Sequence, residues 1–246
     1  MSRSGEPEHP LLLNERRDVV VASLLLAGAI VMLVLVAVPG SKAAVQRLDD
    51  SFLKLMVESR NGLFTFVARV FNFLGLTFVT LPVRLAVAGY LAFRRRWWHF
   101  AGFVSAMVLS ELCIGPVKAL YDRARPPGSL VTTSGASFPS GHALAATVTA
   151  VAIVIALFPP RHRGVWGVAA GIFSLLMALS RAYLAAHWLS DAITGVLLGS
   201  AIAMWCALVV QWIRDRRERR RAAIGRATAS PGSVEPAPAP TPPPPS

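Results

Sequence analysis

Residues 19–38 read VVVASLLLAGAIVMLVLVAV, twenty positions without a charge. At 1.5 Å per residue a helix of that length reaches about 30 Å, the thickness of a bilayer's hydrocarbon core. Five further apolar runs follow, at Phe71–Phe93, Trp98–Leu120, Gly141–Phe158, Val165–Leu184 and Trp188–Trp212, each bounded by charged or turn-forming residues. Together they predict an all-α, six-transmembrane-helix bundle over residues 19–212. Composition points the same way, with 54% hydrophobic and only 15% charged residues and a mean hydropathy of +0.53. The first run is too long for the apolar part of a signal peptide, and Pro39-Gly40-Ser41-Lys42 is a poor small-residue cleavage site, so the run is expected to be retained. Between the first two runs, Ser51–Arg69 mixes apolar and charged residues in a helical pattern that suits an interfacial helix.

The net charge of +12 does not imply a nucleic-acid partner. The basic residues stand in short clusters between apolar runs rather than along one folded surface, as membrane flanks do. Arg16 and Arg17, Arg94–Arg96, Arg161 and Arg163, and Arg214–Arg221 fall at alternate helix ends. By the positive-inside rule these ends are cytoplasmic. The reading is a multi-pass protein of the cell membrane with both termini in the cytoplasm, namely an arm of residues 1–18 and a tail of residues 213–246. The tail turns from Arg-rich to Pro- and Ala-rich and has too few large apolar residues for a core, so it is expected to be disordered. Cys113 and Cys206 lie toward opposite leaflets in this layout and are not expected to pair.

Three segments at the non-cytoplasmic ends carry polar residues that a bundle has little reason to keep. The first is Lys118-Ala-Leu-Tyr-Asp-Arg-Ala-Arg125-Pro126. Lys118 and Arg125 are seven apart and share a face if the helix persists to Pro126; alone, they read more simply as a snorkelling lysine and an ordinary loop charge. In Pro139-Ser140-Gly141-His142, Ser140 is a good N-cap and Gly141 lets a ligand approach the free amides of the first turn. A helix start of this kind attracts phosphate, and His142 stands ready to exchange a proton there. The third segment holds Ser180-Arg181, His187 and Asp191. Four residues separate His187 from Asp191, so on a helix the carboxylate can bond one imidazole nitrogen and leave the other as nucleophile or base. Two histidines, a carboxylate and three cations at one membrane face point to chemistry on an anion.

These segments match, in order and at every position, the tripartite motif of the type 2 phosphatidic acid phosphatase superfamily, which the chain resembles. That group includes lipid phosphate phosphatases, glucose-6-phosphatase and the vanadium haloperoxidases. Ser137-Phe138, Tyr183 and Gly195 also look typical of it. The resemblance implies that His187 attacks phosphorus to form a phosphohistidine, that Asp191 orients and polarises it, and that His142 protonates the leaving oxygen and then activates water. Lys118, Arg125 and Arg181, with the amides near Ser140 and Gly141, would hold the phosphoryl oxygens. No metal and no cofactor is expected. The implied substrate is a lipid phosphate or pyrophosphate, such as a polyprenyl pyrophosphate, phosphatidic acid, phosphatidylglycerol phosphate or a polyprenyl-linked sugar phosphate. A lipid phosphotransferase with the same intermediate is the alternative; a haloperoxidase and a non-enzymatic transporter fit less well. The sequence leaves the oligomeric state open.

Three further readings concern residues outside the motif positions. Arg123 reads as a solvated loop charge, with a contact to a second phosphate as the other possibility. Arg84 and Glu111 are expected at similar depth, where pairing would offset the cost of intramembrane charge. Trp97, Trp98, Trp188 and Trp212 suit interfacial anchoring.

Overall fold

A computed structural model describes residues 15–228; most of the N-terminal arm and the end of the C-terminal tail, including its Pro- and Ala-rich stretch, lie outside the described residues. Eight α-helices and one short 3₁₀ turn make up the described chain, and no strand occurs among the described residues. They are α1 (Glu15–Ala37), α2 (Pro39–Glu58), α3 (Gly62–Leu74), α4 (Thr77–Phe93), α5 (Trp97–Tyr121), α6 (Gly141–Leu157), α7 (Arg163–Tyr183) and α8 (Leu189–Thr228), with the 3₁₀ turn at Pro160–His162 before α7. The chain separates into two compact units, and the first of them ends at Gln211. In the second, the continuation of α8 carries Arg216 stacked 3.8 Å from the Trp212 ring centroid and an Arg214–Glu218 pair at 2.9 Å.

Among the described residues, four helices are long and apolar enough to cross a bilayer, or five if α3 and α4 count as one span bent by 51°. The expectation of six spans is therefore met only in part, for two physical reasons. The run Phe71–Phe93 is broken at Gly75-Leu76, so its first turn belongs to α3 and the remainder to α4. The run Gly141–Phe158 forms α6, whose 17 residues reach about 26 Å, short of the roughly 30 Å hydrocarbon core. The expected interfacial helix Ser51–Arg69 is also two elements. Asn61 starts α3 by accepting a hydrogen bond from Phe64 N at 2.9 Å, an N-cap worth about 1 kcal/mol, and α2 has already ended at Glu58. At the α1–α2 corner Pro39 takes the first helical position, where its missing N–H costs nothing.

The short α6 is central. Its buried residues run from Ala143 to Ala156, and Leu144, Val148, Ala152 and Ala156 share one core with Leu91 of α4, Phe103, Ala106 and Met107 of α5, and Ile202, Ala203 and Cys206 of α8. Small side chains let these three neighbours close on it, the usual way helices gain packing in an apolar solvent. Arg84 of α4 is held at the same layer. It donates to Glu111 Oε1 at 2.6 Å, to Thr149 Oγ1 at 2.9 Å and to the Ala145 carbonyl at 3.2 Å, so the expected Arg84–Glu111 pair is present and tied to α6. Tyr121, at the end of α5, donates to the Leu33 carbonyl at 2.8 Å. That bond brings the C-terminal ends of α1 and α5 to the same end of the bundle as the start of α6.

Candidate active site

Helix α5 ends at Tyr121 because Asp122 adopts a left-handed conformation, φ 37°, the usual geometry of a helix stop. Lys118 and Arg125 therefore do not share a helix face, contrary to the seven-residue spacing argument. The loop brings them together instead. Lys118 Nζ donates to the Ala136 carbonyl at 2.6 Å, and Arg125 Nη2 reaches the same oxygen at 3.4 Å. Arg125 is pinned further by the carbonyls of Gly135 at 2.9 Å, Ser134 at 2.7 Å and Ala186 at 2.7 Å. Burial lowers its pKa, with the nearby Asp191 opposing the fall only in part; guanidinium stays a cation under any ordinary condition.

His187 precedes α8, whose first residue is Leu189, so it is not on the same helical turn as Asp191. Its Nδ1 stands 2.7 Å from the Ser137 carbonyl and 3.6 Å from Asp191 Oδ2. A carbonyl only accepts, so Nδ1 carries the proton and Nε2 keeps its lone pair. Arg125 Nη1 lies 3.3 Å from that Nε2, as a donor facing an acceptor. The expected imidazole tautomer is thus present, but the backbone of Ser137 holds it, with the carboxylate close behind. Burial drives the pKa of His187 down to about 4, against the opposing pull of Asp191.

Asp191 is fully buried, a placement that costs several kcal/mol for a carboxylate unless it is paired. Its Oδ1 accepts from Arg123 Nη1 at 2.7 Å. Its Oδ2 accepts from Trp188 N at 2.9 Å and, through a very short bond, from the Ser137 hydroxyl. The bond to Trp188 N is half of a capping box, in which an acidic residue in the first turn reaches back to the N-cap amide. One residue thereby starts α8 and stands behind His187.

Ser140 caps α6 as expected, accepting from Ala143 N, and its own N–H donates to the Asp191 carbonyl at 3.0 Å. His142, in the first turn of α6, has a buried Nε2 with no hydrogen-bond partner among the described residues, and the positive charges of Arg181, Arg125 and Lys118 all bear on it. Arg181 is 2% exposed. Its Nη1 donates to Asn72 of α3 through a short bond, and its Nε is buried without a partner among the described residues. The structure thus gathers Lys118, Arg125, Ser140, Gly141, His142, Arg181, His187 and Asp191 at one end of the bundle, and leaves an imidazole nitrogen and a guanidinium N–H there unsatisfied. Buried polar atoms without partners are uncommon and call for an explanation.

Several residues in this shell escape a reading of the motifs. Asn72 carried a signal, since it is a lone amide in the apolar stretch Val70-Phe71-Asn72-Phe73-Leu74, where unpaired polar groups are costly. Gly75 follows it, and a Cβ there would come within 2.7 Å of His142 Cδ2 and 3.1 Å of Met177 Cε. The break between α3 and α4 is therefore also the place where His142 gains room. Arg123 is not a solvated charge; its side chain is 9% exposed and it is paired with both Asp49 and Asp191. Asp49 and Ser190 had no signal in the sequence. Among the described residues no group of three or more His, Cys, Asp or Glu side chains is arranged to hold a metal ion.

A helical bundle that fixes cations around one free imidazole nitrogen, at the end of apolar helices, is built as a membrane phosphatase. The chain belongs to the PAP2 superfamily, which residues 99–215 match. Among curated relatives it is 28% identical to phosphatidylglycerophosphatase B of Bacillus subtilis over 63% of this chain and 80% of the relative. It is 30% identical to undecaprenyl-diphosphatase of Sulfolobus acidocaldarius over 60% of this chain and 69% of that one. The fold is similar to the crystal structure of a transmembrane PAP2 type phosphatidylglycerolphosphate phosphatase from Bacillus subtilis, with a TM-score of 0.67 and 24% identity over 79% of this chain and 96% of the other.

Proposed function

We propose that this phosphatase removes phosphate from a lipid phosphomonoester or pyrophosphate through a phosphohistidine on His187, without a metal ion, at the non-cytoplasmic face of the cell membrane. One observation carries the reading: the Ser137 carbonyl holds the proton on His187 Nδ1, which leaves the Nε2 lone pair beside the Arg125 guanidinium. In the first step that lone pair forms the N–P bond while the bond from phosphorus to the leaving oxygen breaks, and His142 supplies a proton to that oxygen. In the second, His142 takes a proton from water as its oxygen attacks phosphorus, and the N–P bond returns its electron pair to Nε2. Arg125 Nη1, already directed at Nε2, transfers its hydrogen bond to a phosphoryl oxygen when phosphorus arrives. Lys118, Arg181 and the amides at the start of α6 take the remaining charge, which suits a transition state stabilised by position and fixed dipoles.

The relatives' names cover a phosphatidylglycerol phosphate type and a polyprenyl diphosphate type of substrate, and an amphiphile of either kind can leave its chains in lipid while its phosphate enters the bundle end. A panel of purified lipid phosphates is therefore the direct test. Phosphate release is expected from lipid monophosphates or diphosphates, inhibited by vanadate and changed less than about twofold by EDTA; abolition by EDTA would refute the metal-independent mechanism. Orientation rests on the arginine clusters at Arg16-Arg17, Arg94–Arg96, Arg161 and Arg163, which lie at the other helix ends and read as cytoplasmic flanks under a six-span topology with both termini inside. Thr132→Cys, in the exposed loop before α6 and in a background lacking Cys113 and Cys206, is expected to react in whole cells with a membrane-impermeant thiol reagent. Reaction only after the cytoplasm is opened would reverse the orientation.

A further inference from the structure

Arg123 stands between two buried carboxylates from opposite parts of the chain. Its Nη1 donates to Asp191 Oδ1 at 2.7 Å and to Ser190 Oγ at 2.7 Å. Its Nη2 donates to Asp49 Oδ2 at 2.7 Å and to Gln46 Oε1 at 2.7 Å, and the guanidinium lies 5.5 Å from the Trp188 ring centroid. Asp49 in turn accepts from Ser190 N at 2.9 Å and from Ser190 Oγ at 2.6 Å. Asp49 is 2% exposed and Asp191 is fully buried. Asp49 and Gln46 belong to α2, outside the residues 99–215 that carry the family match.

We propose that Asp49 and Arg123 are the positioning pair of the catalytic centre, an inference that rests on His187 being the nucleophile. They act through Asp191. Arg123 occupies Oδ1 and so turns Oδ2 toward Ser137, Trp188 N and His187. Asp49 sets how much of the Asp191 charge survives. With two carboxylates sharing one guanidinium, the cluster keeps a net negative charge 3.6 Å from His187 Nδ1. If Asp49 were neutral, Arg123 would cancel Asp191 outright, and the cation that develops on the imidazole during attack would lose its counter-charge. Interactions that strengthen only in the transition state raise kcat rather than lower KM.

The test is Asp49→Asn, which keeps the shape and removes the charge, measured in the full-length detergent-solubilised protein. Expected is a fall in kcat of about tenfold with KM changed less than about twofold. In an Asp191→Asn background the same substitution is expected to change kcat less than about twofold, because the carboxylate it serves is gone. Should Asp49→Asn fail to accumulate, Arg123→Lys carries the test, since one ammonium cannot bridge both carboxylates as a guanidinium fork does. The same split and the same masking are expected of it. An unchanged kcat, a parallel loss in kcat and KM, or a tenfold loss that persists beside Asp191→Asn would each overturn the positioning pair. His187→Ala, assayed alongside, keeps the two readings apart: activity surviving in that variant removes the nucleophile assignment itself, whatever Asp49→Asn shows.

Discussion

His187→Ala is expected to lower phosphate release by on the order of 10⁴-fold or more, with no acid-labile phosphoprotein trapped on rapid quenching. The magnitude follows from removing the group proposed to form the covalent bond, after which charge stabilisation and binding alone remain. The fold should survive, because His187 lies in the turn between α7 and α8 and Asp191 keeps its bonds from Arg123, Ser137 and Trp188 N. The wild-type pH profile carries a matched expectation. Burial lowers the His187 pKa to about 4, while Asp191 opposes the fall and Arg181 and Arg125 add to it. Protonation destroys the Nε2 lone pair, so kcat/KM is expected to fall as pH drops through about 4 rather than through 6.5, once the substrate's own ionisation near pH 6 is allowed for. A phosphoprotein that still forms in His187→Ala would place the nucleophile elsewhere.

The parts legible from sequence are those whose physics is local. A bilayer demands long apolar runs, so the helices were visible and the class of fold with them; a phosphate site at a helix start needs a cap and a small residue, so Ser140 and Gly141 stood out. The misreadings arose where a spacing rule assumed that a helix continued. Lys118 and Arg125 meet through a loop because Asp122 turns left-handed after Tyr121, and His187 lies before α8, so its proton goes to the Ser137 carbonyl. Six uniform spans were expected because hydropathy does not register the Gly75-Leu76 break, where a Cβ on Gly75 would collide with His142. Asp49 could not be found at all. An acidic residue in an amphipathic stretch looks like any other surface charge until the tertiary fold places Arg123 on it.

The second large effect is expected at a residue with no chemistry. Gly195 and Gly199 are one turn apart on α8 and face α6 with nothing between the backbones. A Cβ on Gly195 would lie 2.7 Å from the Ser140 carbonyl oxygen and 3.1 Å from Leu144 N, and one on Gly199 would lie 2.8 Å from the Leu144 carbonyl oxygen. Backbone atoms cannot rotate aside, so Gly195→Val must push the start of α8 away from the start of α6, at a cost of about 1–3 kcal/mol or more. The same two helix starts are joined by the Ser140 N–H to Asp191 carbonyl bond; one carries His142 and the other carries Asp191, close behind His187. A displacement of about 1 Å between the proposed acid and the proposed nucleophile can cost about 100-fold in rate. Gly195→Val is therefore expected to lose at least about 100-fold in kcat/KM and to melt about 5 °C or more lower, with Gly195→Ala between it and the wild type. Gly167→Val, on a face of α7 where an added Cβ meets nothing, should stay within about twofold of wild type in kcat/KM and within about 2 °C in melting temperature. If Gly195→Val matches that control, the close approach of α6 and α8 is not what aligns the two histidines, and the alignment must come from the loop of residues 122–140 alone.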